Sequence, residues 1–336
     1  MRIDRAQALT AAWVRGHDFG PLPVVGSFFT GSTLEGRGSD LLAPESDVDV
    51  AVVVDGPAPP KLGKLRHQGV RVEVTYLSWS ELADPERVAR TSYLAPSFAR
   101  DALVTDPDGR LDRLRRQVAP LFARPDVVRD RCGAVLDRMA APPAPAGSWP
   151  LAVTGWLFGT SLATVVLLVA GLRNPTVRLR YLRARELLES REAGARYPDL
   201  LDQLGCLEVT PAQVLGHVPA LAAAFDATAA CGPTTFPFAS DLSPDSRPVA
   251  VDGTLRLVGQ GDHREAVFWL VATFSRCLQV LDATAAPDRE RHHEAFAAAV
   301  TELTGLTGPE APVRRRAQVV ASLPDLRALA WQLIGR

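Results

Sequence analysis

Asp47 and Asp49 stand one residue apart in the run Ser46-Asp-Val-Asp-Val50, which continues into further valines as far as Val54. A β-branched run of this kind reads as a strand, on which alternate side chains leave by the same face. The two aspartates therefore lie side by side, while Val48, Val50 and Val52 face the other way, into a core. Two carboxylates that close raise each other's pKa unless a cation neutralises them. Oxygen ligands of this type suit Mg2+, which takes one or two carboxylates together with substrate phosphates. A third acid is phased to join them: in Val70-Arg-Val-Glu-Val-Thr75 the valines share one face and leave Arg71, Glu73 and Thr75 on the other. If that segment pairs beside the Asp47 strand, three carboxylates gather at one edge of the sheet, enough to hold two Mg2+ ions. The competing explanation is a solvated face carrying ordinary acids, and the phased glutamate weighs against it.

Gly26-Ser27 offers the complement to these anions. A glycine lets a phosphate approach the backbone, and free N–H groups with the Ser27 hydroxyl donate to it. The only two lysines of the chain, Lys61 and Lys64, cluster just after the Asp-bearing strand. They could steady a triphosphate as point charges, with chance clustering as the bland alternative. Ser46 either touches a nucleotide or makes only local hydrogen bonds at the strand start.

The order of these features resembles the nucleotidyltransferase superfamily that shares the DNA polymerase β palm, including the aminoglycoside nucleotidyltransferases. That pattern is a hydrophobic strand, GS, a short helix with another Gly, two acids one residue apart, and a later third carboxylate. Here these are Val24-Val-Gly-Ser27, Gly31-Ser32, Ser46-Asp-Val-Asp-Val50 and Glu73. The resemblance implies that Asp47 and Asp49 are metal ligands, that Gly26 and Ser27 hold the triphosphate, and that Glu73 is the third ligand or the general base. It covers roughly residues 22–77. The run LLVAGLRNPTVRLRYLRARELL also looks like two-domain bacterial, often actinobacterial, chains in which such a domain precedes a helical region. One departure stands out: the segment between Gly31 and Asp47 is longer than in the compact motif. The extra residues imply either a longer loop over the nucleotide or a displaced Ser27.

The elements that must position these groups alternate over the first part of the chain. A helix is expected over Asp4–His17, strands over Val24–Phe29 and Val48–Val54, and a hairpin turning at Gln68-Gly69. Ser78 or Ser80 is expected to cap a helix running to Ala89, and 102–105 to add an edge strand. Beyond Pro125 the pattern is helical, with helices near 126–140, 149–172, 175–192, 211–230, 263–284, 288–303, 312–321 and 325–334. Thr210-Pro211 and Asp262-His-Arg-Glu265 read as helix starts. The stretches 142–150 and 232–248 read as loops. The expected fold class is α+β: a small mixed-sheet nucleotidyltransferase palm over 1–124, then an all-α helical bundle over 125–336.

Composition narrows the partners. A net charge of −1 over 336 residues gives no global field for nucleic acid or membrane. The four cysteines form no metal or disulfide pattern, His263, His292 and His293 lack ligand spacing, and the N-terminus has no signal-like apolar run; a reducing cytoplasm fits. Residues 149–172 carry no charge and could span a bilayer, but a buried bundle helix explains them. Arg173, Arg178, Arg180, Arg183 and Arg185 could meet phosphates or RNA, against the plainer reading of a solvated helix face. Trp149, Trp156, Tyr181 and Trp269 are expected in the core. The leading expectation is Mg2+-dependent transfer of a nucleoside monophosphate, AMP from ATP, to a hydroxyl of a small acceptor. The alternatives are transfer to RNA ends or protein, and a non-catalytic antitoxin-like binding module.

Overall fold

The computed structural model describes residues 1–142, 147–232, 235–308 and 310–335. The chain divides into two compact units, Met1–Gly133 with Val169–Thr176, and Ala134–Leu168 with Val177–Ile334. The division expected at 124/125 is thus drawn inside the helix Pro125–Ala140, and the chain returns to the first unit at 169–176. Parts of the expected loops, 143–146 and 233–234, lie outside the described residues, as do Pro309 and Arg336.

The protein is α+β. The first unit is built on a five-stranded mixed sheet in the order β3-β4-β2-β1-β5, with β1 Val24–Thr30, β2 Val48–Val54, β3 Gly63–His67, β4 Val70–Ser78 and β5 Leu103–Thr105. β1 runs antiparallel to β2 and β5, β3 antiparallel to β4, and β2 parallel to β4. The β3–β4 turn is the two-residue kind expected at Gln68-Gly69, with φ of 47° and 82°. Positive φ at both positions gives a turn whose twist matches the flanking strands. The alternating valines do what their period requires. Val48, Val50, Val52, Val72 and Val74 are fully buried on one face, against Ala6, Leu9 and Val14 of α1 (Ile3–Gly16). Each such side chain stabilises the fold by about 1.5–3 kcal/mol.

The opposite face is buried as well over much of its length. There Phe28, Ala51 and Val53 meet a cluster from α2 (Trp79–Leu82), α3 (Pro85–Ala89), α4 (Ala95–Phe98) and α5 (Arg110–Phe122). The single helix expected up to Ala89 is broken because Asp84 caps a new helix with Pro85 in its first turn. Ser78 forms the capping box with Glu81 that its spacing suggests.

The long segment after Gly31 does not run free. A 3-10 turn covers Ser32–Leu34, and the chain then follows the start of α1: Ile3 N donates to Asp40 O (2.9 Å) and Asp4 N to Gly38 O (3.0 Å). These carbonyls satisfy N–H groups that a helix start leaves without intrahelical partners.

The second unit is helical: α6 (Pro125–Ala140) from Ala134, α7 (Trp149–Ala170) to Leu168, α8 (Arg180–Ser190), α9 (Tyr197–Leu204), α10 (Pro211–Ala230), α11 (Arg247–Ala250), α12 (Asp252–Gly259), α13 (His263–Ala283), α14 (Arg289–Thr304), α15 (Ala311–Ala321) and α16 (Leu323–Ile334). α13 is the central rod, buried almost throughout and packed by α10, α12 and α14. α7 and α13 are both long and apolar enough to cross a membrane, and both are mostly buried inside the protein. Three hydroxyls of α7 have partners: Thr154 Oγ1 meets Ser275 Oγ of α13 at 2.6 Å, Ser161 donates to Phe158 O and Thr164 to Ser161 O. Trp156, Tyr181 and Trp269 are core residues.

Two local expectations fail here for long-range reasons. Asp262 and Glu265 do not cap α13 reciprocally, because Arg185 takes both at 2.6 Å and Tyr197 adds its hydroxyl to Glu265. The helix expected from residue 175 begins at Arg180, so Arg173 and Arg178 lie ahead of it.

Candidate functional site

The parallel register of β2 and β4 sets Asp49 directly opposite Glu73. The neighbouring pairings extend that row across four strands: Lys64 on β3, Glu73 on β4, Asp49 on β2 and Thr30 on β1. Residues in one cross-strand row share a face, which is why the row forms one chemical surface. Asp47, just ahead of β2, completes it. Carboxylate oxygens of Asp47, Asp49 and Glu73 all lie within 4.8 Å of one another.

The start of this acidic row is held from several sides. Arg71, nearly buried, donates to Pro44 O (3.3 Å) and Ser46 O (3.4 Å), fixing the segment that delivers Asp47. Ser46 N donates to Ala43 O, so the backbone of Ser46 is held both by this turn and by Arg71. Gly31, next to Thr30, has φ 70° and ψ −159°, a backbone region that is essentially glycine's alone. A Cβ placed there would fall 1.8 Å from Asp49 Oδ2. Asn174 reaches back from a sequence separation of 143 residues. Its side-chain amide donates to Gly31 O and its backbone N–H to Glu35. Arg100 adds a bond to Leu34 O. Within the turn, the buried Thr33 hydroxyl has no hydrogen-bond partner among the described residues.

The two lysines sit on the acids. Lys64 Nζ lies 2.8 Å from Glu73 Oε2 and 3.3 Å from Asp47 Oδ2, with its side chain 5 % exposed. Lys61, more open, bonds the other Glu73 oxygen. Their clustering in sequence thus has a structural cause: both serve Glu73.

Gly26 and Ser27 are placed elsewhere, which corrects the expectation that they cradle a triphosphate beside the aspartates. They lie in the middle of β1, not at its end. Ser27 pairs with Val52 and so faces the α1 side of the sheet, away from Asp49. It is fully buried, and its hydroxyl meets Thr105 Oγ1 at 2.7 Å. That side holds a groove of about 530 Å3, lined by Ser27, Thr105, Arg15 and Phe19 among others. A Cβ on Gly26 would lie 2.5 Å from Thr105 O and 2.7 Å from Leu111 Cδ1, so this glycine admits β5 and α5 rather than a ligand. The glycine–serine pair beside the acids is Gly31-Ser32. The motif contained both pairs, but only tertiary packing tells them apart. Asn174 was invisible to local pattern reading for the same reason.

Three carboxylates this close, with a glycine turn against one of them, fit a hard divalent cation with oxygen ligands. The fit is partial, since both Glu73 oxygens already accept from ammonium groups. The chain matches no family model, and no curated protein shows significant similarity to it.

Proposed function

We propose that the protein is a metal-dependent nucleotidyltransferase, moving a nucleoside monophosphate, AMP from ATP, onto a hydroxyl of a small acceptor. The observation that carries this reading is the row Glu73–Asp49–Thr30 with Asp47 beside it, ending on the Gly31 turn. Asp47 and Asp49 would hold Mg2+, which supplies charge neutralisation at the phosphoryl oxygens. The Gly31-Ser32 turn is the surface suited to the polyphosphate, because a residue without Cβ leaves room for it.

The acceptor oxygen attacks the α-phosphorus, the bond from that phosphorus to the bridging oxygen breaks, and pyrophosphate leaves. The hydroxyl proton goes to a carboxylate. Glu73 is poorly placed for that task with two ammonium donors on it, so the role falls to Asp49. Lys61 and Lys64 act first on the acids and only through them on the nucleotide.

The test is transfer of label from each α-labelled nucleoside triphosphate with Mg2+, to pooled small hydroxylated compounds, to tRNA, or to protein. Label should reach a small molecule, and Asp47→Asn should abolish it while the circular dichroism spectrum stays the same. Undiminished transfer by Asp47→Asn ends the metal assignment. Label on RNA or protein moves the acceptor class, and no transfer to any acceptor favours a binding module.

A further inference from the structure

Lys64 is an unusual lysine. Its side chain is 5 % exposed, and its ammonium lies between two carboxylates, 2.8 Å from Glu73 and 3.3 Å from Asp47. A lysine head group usually stays in water, and one taken out of it needs paired anions. The position follows from the backbone, because the β3–β4 register sets Lys64 directly opposite Glu73. Lys61 then covers the remaining Glu73 oxygen. Glu73 is therefore saturated by cations of the chain itself.

The charges can be compared directly. Asp47, Asp49 and Glu73 bring three negative charges, and the two ammonium groups on them bring two positive ones. Two ammonium groups carry the charge of one divalent ion, and one of them stands between Glu73 and Asp47, where a bridging ion would stand. We propose that Lys64, supported by Lys61, is a tethered replacement for the second divalent cation, so that this site works with one metal ion, on Asp47 and Asp49. This rests on the metal-dependent reading above and alters it: three carboxylates need not mean two ions. In this arrangement Glu73 positions Lys64 and is not a metal ligand. The tethered charge is present before any nucleotide arrives, which preorganises half of the cationic field that a two-ion site must collect from solution.

The experiment is a Mn2+ titration of the full chain, read by the electron paramagnetic resonance of free Mn2+, with α,β-methylene-ATP present and a nucleotide-only control subtracted. The wild type should bind one Mn2+ per chain. The double variant Lys61→Met/Lys64→Met should bind two, the first about tenfold or more tighter than in the wild type, as expected from removing like charges at this range. Lys64→Arg should keep the count at one. Circular dichroism and thermal midpoints check that each variant is folded. Two ions in the wild type would overturn the replacement and leave the metal reading standing. One ion in both proteins would also overturn it, since the lysines would then exclude nothing. No Mn2+ on any variant above the nucleotide control would overturn the replacement together with the metal reading beneath it. If the double variant does not fold, Lys64→Gln carries the same comparison.

Discussion

The α-carbon of Gly31 lies against the carboxylate of Asp49, so that a β-carbon built there would overlap Oδ2 at 1.8 Å. This contact joins the end of β1 to the acid in the middle of the cluster. Gly31→Ala should fail twice over. It places a side chain in backbone space costing about 1–3 kcal/mol, and it pushes Asp49 out of the row. The thermal midpoint should fall and Mn2+ affinity should drop by roughly tenfold or more. An alanine variant with unchanged Mn2+ affinity would show that the acid is not held by this contact.

Asn174 holds the other side of the same turn. Its amide donates to Gly31 O while its backbone N–H serves Glu35, so a side-chain change removes only the first bond. Asn174→Ala leaves a half-buried carbonyl without that donor, a loss of about 0.5–1.5 kcal/mol. Asn174→Asp is nearly isosteric but sets two acceptors against each other, and should be the worse of the pair in both stability and Mn2+ affinity. Denaturant midpoints and the Mn2+ titration give the order. Aspartate equal to or better than alanine would refute the donor role.

Much of the sheet is legible in the sequence. Period-two valines located β2 and β4, Gln68-Gly69 located their hairpin neighbour, and phasing put Glu73 on the aspartate face. These signals are local, and local geometry carries them. What could not be read was decided at long range. Gly26-Ser27 and Gly31-Ser32 stand five residues apart in one β-rich stretch, and only Thr105 and Leu111 closing on Gly26 show that it is a packing glycine. The capping residues Asp262 and Glu265 looked right for α13 until Arg185, from another helix, took them. α9, α11 and α12 leave no clear signal in the sequence because short helices carry too few turns to show a period.

Arg131 illustrates how the first unit satisfies a buried charge without a carboxylate. It is 2 % exposed, and burial pushes its guanidinium down from the ordinary value to about 10. Its donors go to Ala89 O and Phe122 O, the last residues of α3 and α5, and it lies over the Phe122 ring. Helix C-termini carry partial negative charge, so two of them offset the cation. Arg131→Met should strand both carbonyls and cost roughly 2–5 kcal/mol. Arg131→Lys keeps the charge but not the forked reach, and should recover only part of it. Chemical denaturation measures both, and an unchanged midpoint for methionine would refute the account.

The four thiols should separate by burial. Desolvation pushes Cys132, Cys206 and Cys277 up to about 12, so they stay protonated and unreactive at pH 8, whereas Cys231 is partly exposed. Ellman's reagent at pH 8 should titrate a single thiol on the native protein and all four in denaturant. Rapid reaction of more than one native thiol would contradict the packing of α6, α13 and the turn that follows α9.

The claim on which the functional account stands is that Asp47 and Asp49 hold a divalent ion at the foot of the Gly31 turn. Crystals grown with Mn2+ and α,β-methylene-ATP test it through anomalous scattering. The account predicts a manganese peak coordinated by both aspartates, with the triphosphate running along Gly31-Ser32. An empty aspartate pair, or a triphosphate seated in the groove beside Ser27 instead, would contradict it.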